Sequence, residues 1–103
     1  MNQNGFESAE QPKWRSAQVE FTSEKEVIKF LQDFWQHVGS PRLAQILSAT
    51  SVSELVEETA LDRTRLQDLG GGSFRVVIYR NHDTRPLTDP AIDFLKLRGI
   101  TGE

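Results

Sequence analysis

Residues 23–38 limit the possible folds of this chain more than any other stretch. They open with Ser-Glu-Lys-Glu, the pattern of a capping box. In such a box the Ser23 hydroxyl accepts a hydrogen bond from a free amide of the first helical turn, and the Glu26 carboxylate reaches back to the amide of the cap residue. Gly39, which follows, is a residue that readily ends helices. Between these ends the apolar side chains recur at helical spacing: Val27, Ile28, Phe30, Leu31, Phe34, Trp35 and Val38. The pattern predicts an amphipathic helix on which the core is built.

The length and composition predict one domain in a reducing compartment. Of the 103 residues, 37% are hydrophobic, including six Phe and two Trp, which suffices for a packed core and a net stability of about 5–10 kcal/mol. We expect a disordered polar tail over residues 1–12 and a single globular domain over residues 13–103. No Cys is present, which excludes disulfides and thiolate zinc sites. The chain shows neither a signal peptide nor a membrane-spanning apolar run, and we expect a cytoplasmic protein.

The remaining sequence predicts further helices and two strands. Alternating side chains indicate a short strand at 16–21, and β-branched and aromatic residues indicate another at 73–80. Five helices are expected in all: 23–38, a short one after Pro41 with Leu43, Ile46 and Leu47 inward, one that starts near Ser51, one at 62–69, and one opened by Asp89-Pro90. The predicted fold class is α+β, a small helix-dominated domain of about five helices with one or two short strands.

The charge of the chain is unevenly distributed. Twelve basic and fifteen acidic residues give a net charge of −3, although proteins dedicated to nucleic acids are usually basic. The section 63–85 nevertheless concentrates arginine, the side chain best suited to phosphate and guanine, at positions 63, 65, 75, 80 and 85. Two interpretations remain open: these arginines bind an anionic partner, or they are ordinary surface residues of a strand and a turn.

Residues 51–72 resemble the helix-turn-helix of phage-repressor and winged-helix regulators. Ser51 and Glu54 have the spacing of a capping box for the first helix. The apolar positions that carry the resemblance are Leu55 and Val56 in the first helix, Leu61 after the turn, and Leu66 and Leu69 in the second helix. Ala60 stands where the family usually has a turn glycine, and Asp62 stands in place of its Ser or Thr cap.

The resemblance implies a DNA-binding regulator of transcription, and a homodimer that binds two half-sites of duplex DNA. Residues 62–69 would form the recognition helix, and the strand at 73–80 would belong to a wing. The residues implied to contact DNA are Arg63, Thr64 and Gln67 on the recognition helix, and Arg75, Arg80 and Arg85 around the wing. Glu57, Glu58 and Asp68 depart from this picture, since they would lie close to phosphate.

The alternative prediction is a non-enzymatic protein-binding adaptor, such as an operon accessory factor, an antitoxin, or a phage protein acting on a host factor. The 23–38 helix carries more aromatic surface than so small a domain must bury, and tryptophan is enriched at interface hot spots. On this hypothesis the protein interface consists of Trp14, Phe30, Phe34 and Trp35.

No motif in the sequence predicts an enzyme. The Gly-Gly-Gly-Ser run at 70–73 precedes a predicted strand and lacks a following Lys, unlike a nucleotide-binding loop. His82 beside Asp83 supplies too few ligands for a metal. We therefore expect no catalytic residues, no metal and no cofactor.

Overall fold

The computed structural model describes residues 14–55, 61–80 and 85–103. Three of its strands form an antiparallel sheet in the order β1-β3-β2, where β1 is Ser16–Phe21, β2 is Asp62–Gly70 and β3 is Ser73–Arg80. The central strand β3 pairs with both neighbours over most of its length. The tail predicted over residues 1–12 lies outside the described residues.

The helices of the described residues are α1 (Glu24–Val38), α2 (Leu43–Leu47) and α3 (Asp89–Leu97), with a single 3-10 turn at Val52–Glu54. None of the helices in these ranges is long and apolar enough to cross a bilayer. The predicted fold class is therefore wrong. The described chain has three α-helices and a three-stranded antiparallel sheet, not a domain dominated by about five helices with one or two short strands.

The largest correction concerns residues 62–69, which form strand β2 and not a recognition helix. Gly71 and Gly72 have φ angles of 62° and 85° and make a two-residue turn between β2 and β3. Turns with two consecutive positive φ angles match the twist of paired strands, so they favour a hairpin. Pairing with β3, which is rich in β-branched residues, outweighs the helical spacing of the leucines. Strand pairing provides backbone hydrogen bonds and cross-strand side-chain contacts at the same time.

The helix predicted to start near Ser51 is also wrong in extent. Over residues 51–55 the backbone makes only the 3-10 turn, and the Glu54 carboxylate accepts a hydrogen bond of 3.0 Å from the amide of Thr50. Leu55 is fully buried. Val56 and Ala60, which the resemblance also used, lie outside the described residues. The first helix of the expected helix-turn-helix is thus absent from its described part.

The prediction of α1 is confirmed in its extent and in its Ser23 cap, whereas Glu26 accepts from an amide one residue before the predicted one. The Ser23 hydroxyl accepts a 3.2 Å hydrogen bond from the amide of Glu26. The Glu26 carboxylate reaches back to the amide of Thr22, one residue before the cap, at 3.2 Å. At the other end the amide of Gly39 donates to the carbonyl of Trp35 at 2.8 Å. The helix thus starts and stops where local signals direct it.

The core lies between α1, α3 and one side of the sheet. Phe94 of α3 meets Phe34 and Phe30 of α1 edge-on, with ring centroids 5.4 and 5.5 Å apart. The sheet contributes side chains from one side only to this cluster: Ala17, Val19 and Phe21 from β1, Leu66 from β2, and Phe74, Val76 and Ile78 from β3. The opposite side of the sheet is left outside the core.

A buried carboxylate links the sheet to α3. Asp62, at the start of β2, is 4% exposed and accepts hydrogen bonds from both the amide and the hydroxyl of Thr88, the residue that caps α3. The sequence predicted a capping role for Asp62 on a helix at 62–69. Its carboxylate instead fixes the residue at the start of α3, because β2 brings it there.

Candidate functional site: the open face of the sheet

Every second residue of the three strands points away from the core. We call this side the open face, and its members are Ser16, Gln18 and Glu20 of β1, Arg63, Arg65 and Gln67 of β2, and Arg75, Val77 and Tyr79 of β3. The antiparallel register arranges them in rows across the sheet. Residues directly opposite each other in such rows have Cβ atoms about 5 Å apart. The open face is therefore a continuous surface with three arginines on it.

The row through Arg75 is a hydrogen-bonded chain across all three strands. The Arg75 guanidinium donates to the Glu20 carboxylate from Nη2 at 2.8 Å and from Nε at 3.2 Å. Its Nη1 donates to the side-chain oxygen of Gln67 at 3.2 Å. Glu20 thus offsets the charge of Arg75, and Arg75 fixes the orientation of Gln67. The uncompensated positive charge of the open face lies in the other two rows.

Arg65 and Tyr79 form the centre of this positive region. The Arg65 guanidinium carbon lies 5.3 Å from the centroid of the Tyr79 ring, within the range of an attractive cation–π contact. Val77, directly opposite Arg65, is 8% exposed. The region therefore combines an exposed cation with a half-buried aromatic ring over an apolar base.

Arg63 extends the positive region toward the start of β2. It stands directly opposite Tyr79 and is half-buried. Within the described part of the chain its Nε atom is buried without a hydrogen-bond partner. A buried donor without a partner is costly, which distinguishes Arg63 from Arg75, whose Nε donates to Glu20.

The structure separates the residues that the helix-turn-helix resemblance grouped. Arg63, Gln67 and Arg75 lie together on the open face, whereas Thr64 is 2% exposed on the core side. Arg80 also belongs to the core side, where its Nη1 donates to the carbonyl of Pro86 at 3.0 Å. Arg85 is exposed in the segment before α3. The odd-numbered positions of β2 are outward because side chains alternate along a strand, whereas on a helix every third or fourth residue shares a face.

The aromatic residues predicted for a protein interface lie mainly in the core. Phe30 is 3% exposed, and Phe34 and Trp35 are fully buried. The indole Nε1 of Trp35 donates to the carbonyl of Leu55 at 3.2 Å. Trp14 is half-buried against the core, and its carbonyl accepts from the amide of Leu87 at 2.7 Å. Of these four aromatic side chains only that of Trp14 has appreciable exposed surface.

Sequence reasoning missed Arg65 and Tyr79 as candidate binding residues. A recognition helix that starts at 62 exposes positions 63, 64 and 67, so the helical interpretation does not include Arg65 among the residues that contact DNA. The signal that identifies both is the period-2 alternation on each side of the glycines: Arg63, Arg65 and Gln67 before them, and Arg75, Val77 and Tyr79 after them.

The other surface depressions present fewer groups that could bind a ligand. A cavity of about 330 Å³ is lined by Trp35, Val38, Gly39, Leu61, Asp62, Thr88 and Pro90. Its buried carboxylate, that of Asp62, is already bonded to Thr88. Across the described ranges no three His, Cys, Asp or Glu side chains converge to hold a metal ion. His82 and Asp83 lie outside those ranges.

No protein-family model, curated protein or solved structure matches this chain.

Proposed function

We propose that this protein binds single-stranded nucleic acid on the open face of its sheet. The observation that carries the proposal is the juxtaposition of Arg63 and Arg65 with the Tyr79 ring. Proteins that bind single strands use a basic surface for the backbone and aromatic rings on which bases stack. Arg65 supplies a phosphate contact in this scheme, and Tyr79 supplies the stacking ring.

The width of the open face favours a single strand over a duplex. Adjacent strands lie about 4.8 Å apart, so three strands with their own thickness span roughly 15 Å. The major groove of B-DNA is only about 12 Å wide and admits a helix or a two-stranded ribbon. A flexible single strand can instead lie across the rows and present its bases to Tyr79. The ligand class thus differs from the duplex DNA that the sequence predicted.

The net charge of −3 does not oppose this proposal, because the charge of the open face differs from that of the whole chain. On the open face the one carboxylate is that of Glu20, which pairs with Arg75. A local basic patch attracts an anionic chain even when the whole protein is acidic. A nucleic-acid ligand also agrees with the cytoplasmic location that the sequence predicts.

The experiment is a fluorescence-anisotropy titration with labelled single-stranded and duplex oligonucleotides of the same mixed sequence, at several salt concentrations. We expect tighter binding of the single strand, with an affinity that falls as salt rises. Arg65→Gln should weaken binding and reduce the salt slope by about 0.7, the value for one phosphate contact on a single strand. Lys96→Gln is the matched control, since it removes the same charge from an exposed position on α3.

Two results would overturn the proposal. One is the absence of single-strand binding at low salt, where electrostatic contacts are strongest. The other is an equal loss in Arg65→Gln and Lys96→Gln, which would mean that general charge matters and the open face does not.

A protein partner is the second candidate, favoured by one feature at the end of α3. Leu97 is 77% exposed, and it borders a surface depression together with His37, Phe94 and Arg98. A protein partner that docked at this depression would bury the Leu97 side chain, which is otherwise in solvent. In that case Leu97→Ser would abolish partner binding and leave the nucleic-acid titration unchanged.

A further inference from the structure

Strand β2 forms an outer edge of the sheet. The opposite edge, at β1, is partly occupied by the C-terminal residue: the amide of Glu103 donates to the carbonyl of Ser16 at 2.8 Å, and the amide of Arg15 donates to the carbonyl of Glu103 at 2.7 Å. In the described part of the chain nothing pairs with the outer side of β2, whose residues 67–70 are exposed. An unpaired edge of this length is a template for another strand.

Two of the usual devices that block edge pairing are missing from β2. Its sequence Asp-Arg-Thr-Arg-Leu-Gln-Asp-Leu-Gly contains neither proline nor lysine. Its irregularity lies between Asp68 and Gly70, next to the turn, and the register from 62 to 68 is regular. The charged side chains of β2 remain as the feature that could prevent pairing with another strand. Whether they repel a second copy depends on which residues face each other.

Two-fold symmetry restricts the possible registers. Antiparallel pairing of two identical strands about a two-fold axis places residues of the same sheet side opposite each other. With Leu66 opposite Leu66 of the second copy, Arg65 faces Gln67 on the open face. On the core side Thr64 faces Asp68. No two like charges meet in this register.

The neighbouring registers are less favourable. If the axis passes through Arg65, the two Arg65 side chains face each other directly, and like charges in that position repel. If it passes through Gln67, the apolar Leu66 faces the carboxylate of Asp68. The charge pattern of β2 thus selects the register centred on Leu66.

We propose that two copies of this chain pair through β2 in the register centred on Leu66, and form one continuous six-stranded antiparallel sheet. The two open faces then lie on the same side of the joined sheet, and the Arg63 and Arg65 side chains of both copies belong to one continuous surface. If the nucleic-acid proposal also holds, the dimer offers a longer path for a single strand. The dimer itself does not depend on that proposal.

Cysteine cross-linking tests the register directly, because the chain has no Cys of its own. Arg65→Cys and Gln67→Cys proteins, distinguished by mass, are mixed, oxidised mildly and examined by intact mass spectrometry. The register places position 65 of one copy directly opposite position 67 of the other, so the mixed disulfide should clearly exceed the sum of the two self-linked products. A mixed product that makes up no more than half of the total, which is the yield of random pairing, or no cross-linking at all, would overturn the proposal.

Sedimentation of charge variants provides the second measurement. Gln67→Arg places an additional arginine opposite Arg65 at two points across the axis and should raise the dimer dissociation constant about tenfold. The double variant Arg65→Glu with Gln67→Arg restores opposite charges and should recover dimerisation. The same variants are followed by thermal unfolding, because residue 67 also faces Arg75 within the chain. A wild-type protein that stays monomeric at about 100 μM, or a double variant without recovery, would exclude this interface.

Discussion

Arg98 and Asp33 join the two long helices at the surface of the core. The Arg98 Nη2 atom lies 2.6 Å from the Asp33 carboxylate, and the guanidinium carbon lies 4.8 Å from the centroid of the Phe94 ring. Lys29, one turn earlier on α1, donates to the other carboxylate oxygen at 3.2 Å. The Asp33 carboxylate therefore pairs with two cations, and one of them, Arg98, also packs over the Phe94 ring.

This arrangement predicts a pH dependence of stability. Partial burial acts to raise the pKa of Asp33, but the hydrogen bonds and charges of Arg98 and Lys29 outweigh it and lower the pKa below its ordinary value. A carboxylate with a lowered pKa in the folded state stabilises the fold above its unfolded pKa of about 3.9. That contribution is lost as the pH falls through the lower, folded-state pKa.

Asp33→Asn should therefore lower the free energy of unfolding at pH 7 by less than about 1 kcal/mol, because the pair is partly exposed to solvent. The difference from wild type should vanish at low pH, where both side chains are neutral. Urea unfolding followed by circular dichroism at both pH values measures this. Arg98→Gln is the informative companion, since it also loses packing on Phe94 and should stay destabilised at every pH. A pH-independent loss in Asp33→Asn would contradict the ion-pair explanation.

Trp35 is the largest side chain in the core, and its substitution separates packing from hydrogen bonding. Trp35→Ala should cost about 3–5 kcal/mol through the cavity that it leaves. Trp35→Phe keeps most of the apolar volume but leaves the carbonyl of Leu55 without its hydrogen-bond donor. This loss should lower the free energy of unfolding by about 1–3 kcal/mol. Equilibrium unfolding in urea measures both. A Trp35→Ala protein of wild-type stability would show that the side chain is not buried.

The hairpin depends on the turn between β2 and β3. Gly71 has a φ angle of 62°, and a Cβ atom built on it would meet nothing within 4 Å. The cost of a substitution there is thus conformational and not steric: Gly71→Ala should destabilise by about 1–2 kcal/mol. Gly71→Asn should cost less, because asparagine tolerates this conformation. Equal costs in thermal unfolding would contradict this backbone explanation.

The parts of the fold that the sequence predicted correctly are those set by nearby residues. Helix α1 has an N-terminal cap, an apolar face and a C-terminal glycine within one short stretch, from Ser23 to Gly39. The strand at 73–80 is rich in β-branched and aromatic residues, and Pro90 lies in the first turn of α3. Each of these signals acts on the backbone directly, so tertiary packing did not reverse them.

Strand β2 could not be predicted in the same way because its partner lies across a turn. The spacing of Leu66 and Leu69 fits a helix, whereas the alternation of polar side chains at 63, 65 and 67 fits a strand, and only pairing with β3 decides between them. Leu61 and Leu69 are 62% and 43% exposed, so the spacing that indicated a helix did not mark a buried face. The candidate site was missed for the same reason. Its residues come together only after the register of β2 against β3 is known.

Tyr79 allows the stacking contribution to nucleic-acid binding to be separated from the charge contribution. Tyr79→Leu removes the aromatic surface and should weaken single-strand binding by about 1–3 kcal/mol, with little change in the salt slope. Tyr79→Phe keeps the ring and should bind nearly as well as wild type. The measurement is the anisotropy titration, with circular dichroism to verify the fold of each variant.

The contact between Arg65 and Tyr79 requires a double variant. Tyr79→Leu also removes the ring beneath the Arg65 guanidinium, so part of its loss could come from a displaced arginine. If the ring acts by stacking on a base, Tyr79→Leu should still weaken binding when Arg65→Gln is already present, by an amount close to its effect alone. If the ring serves only to position Arg65, the second substitution should have no effect, and the open face would bind through charge without stacking.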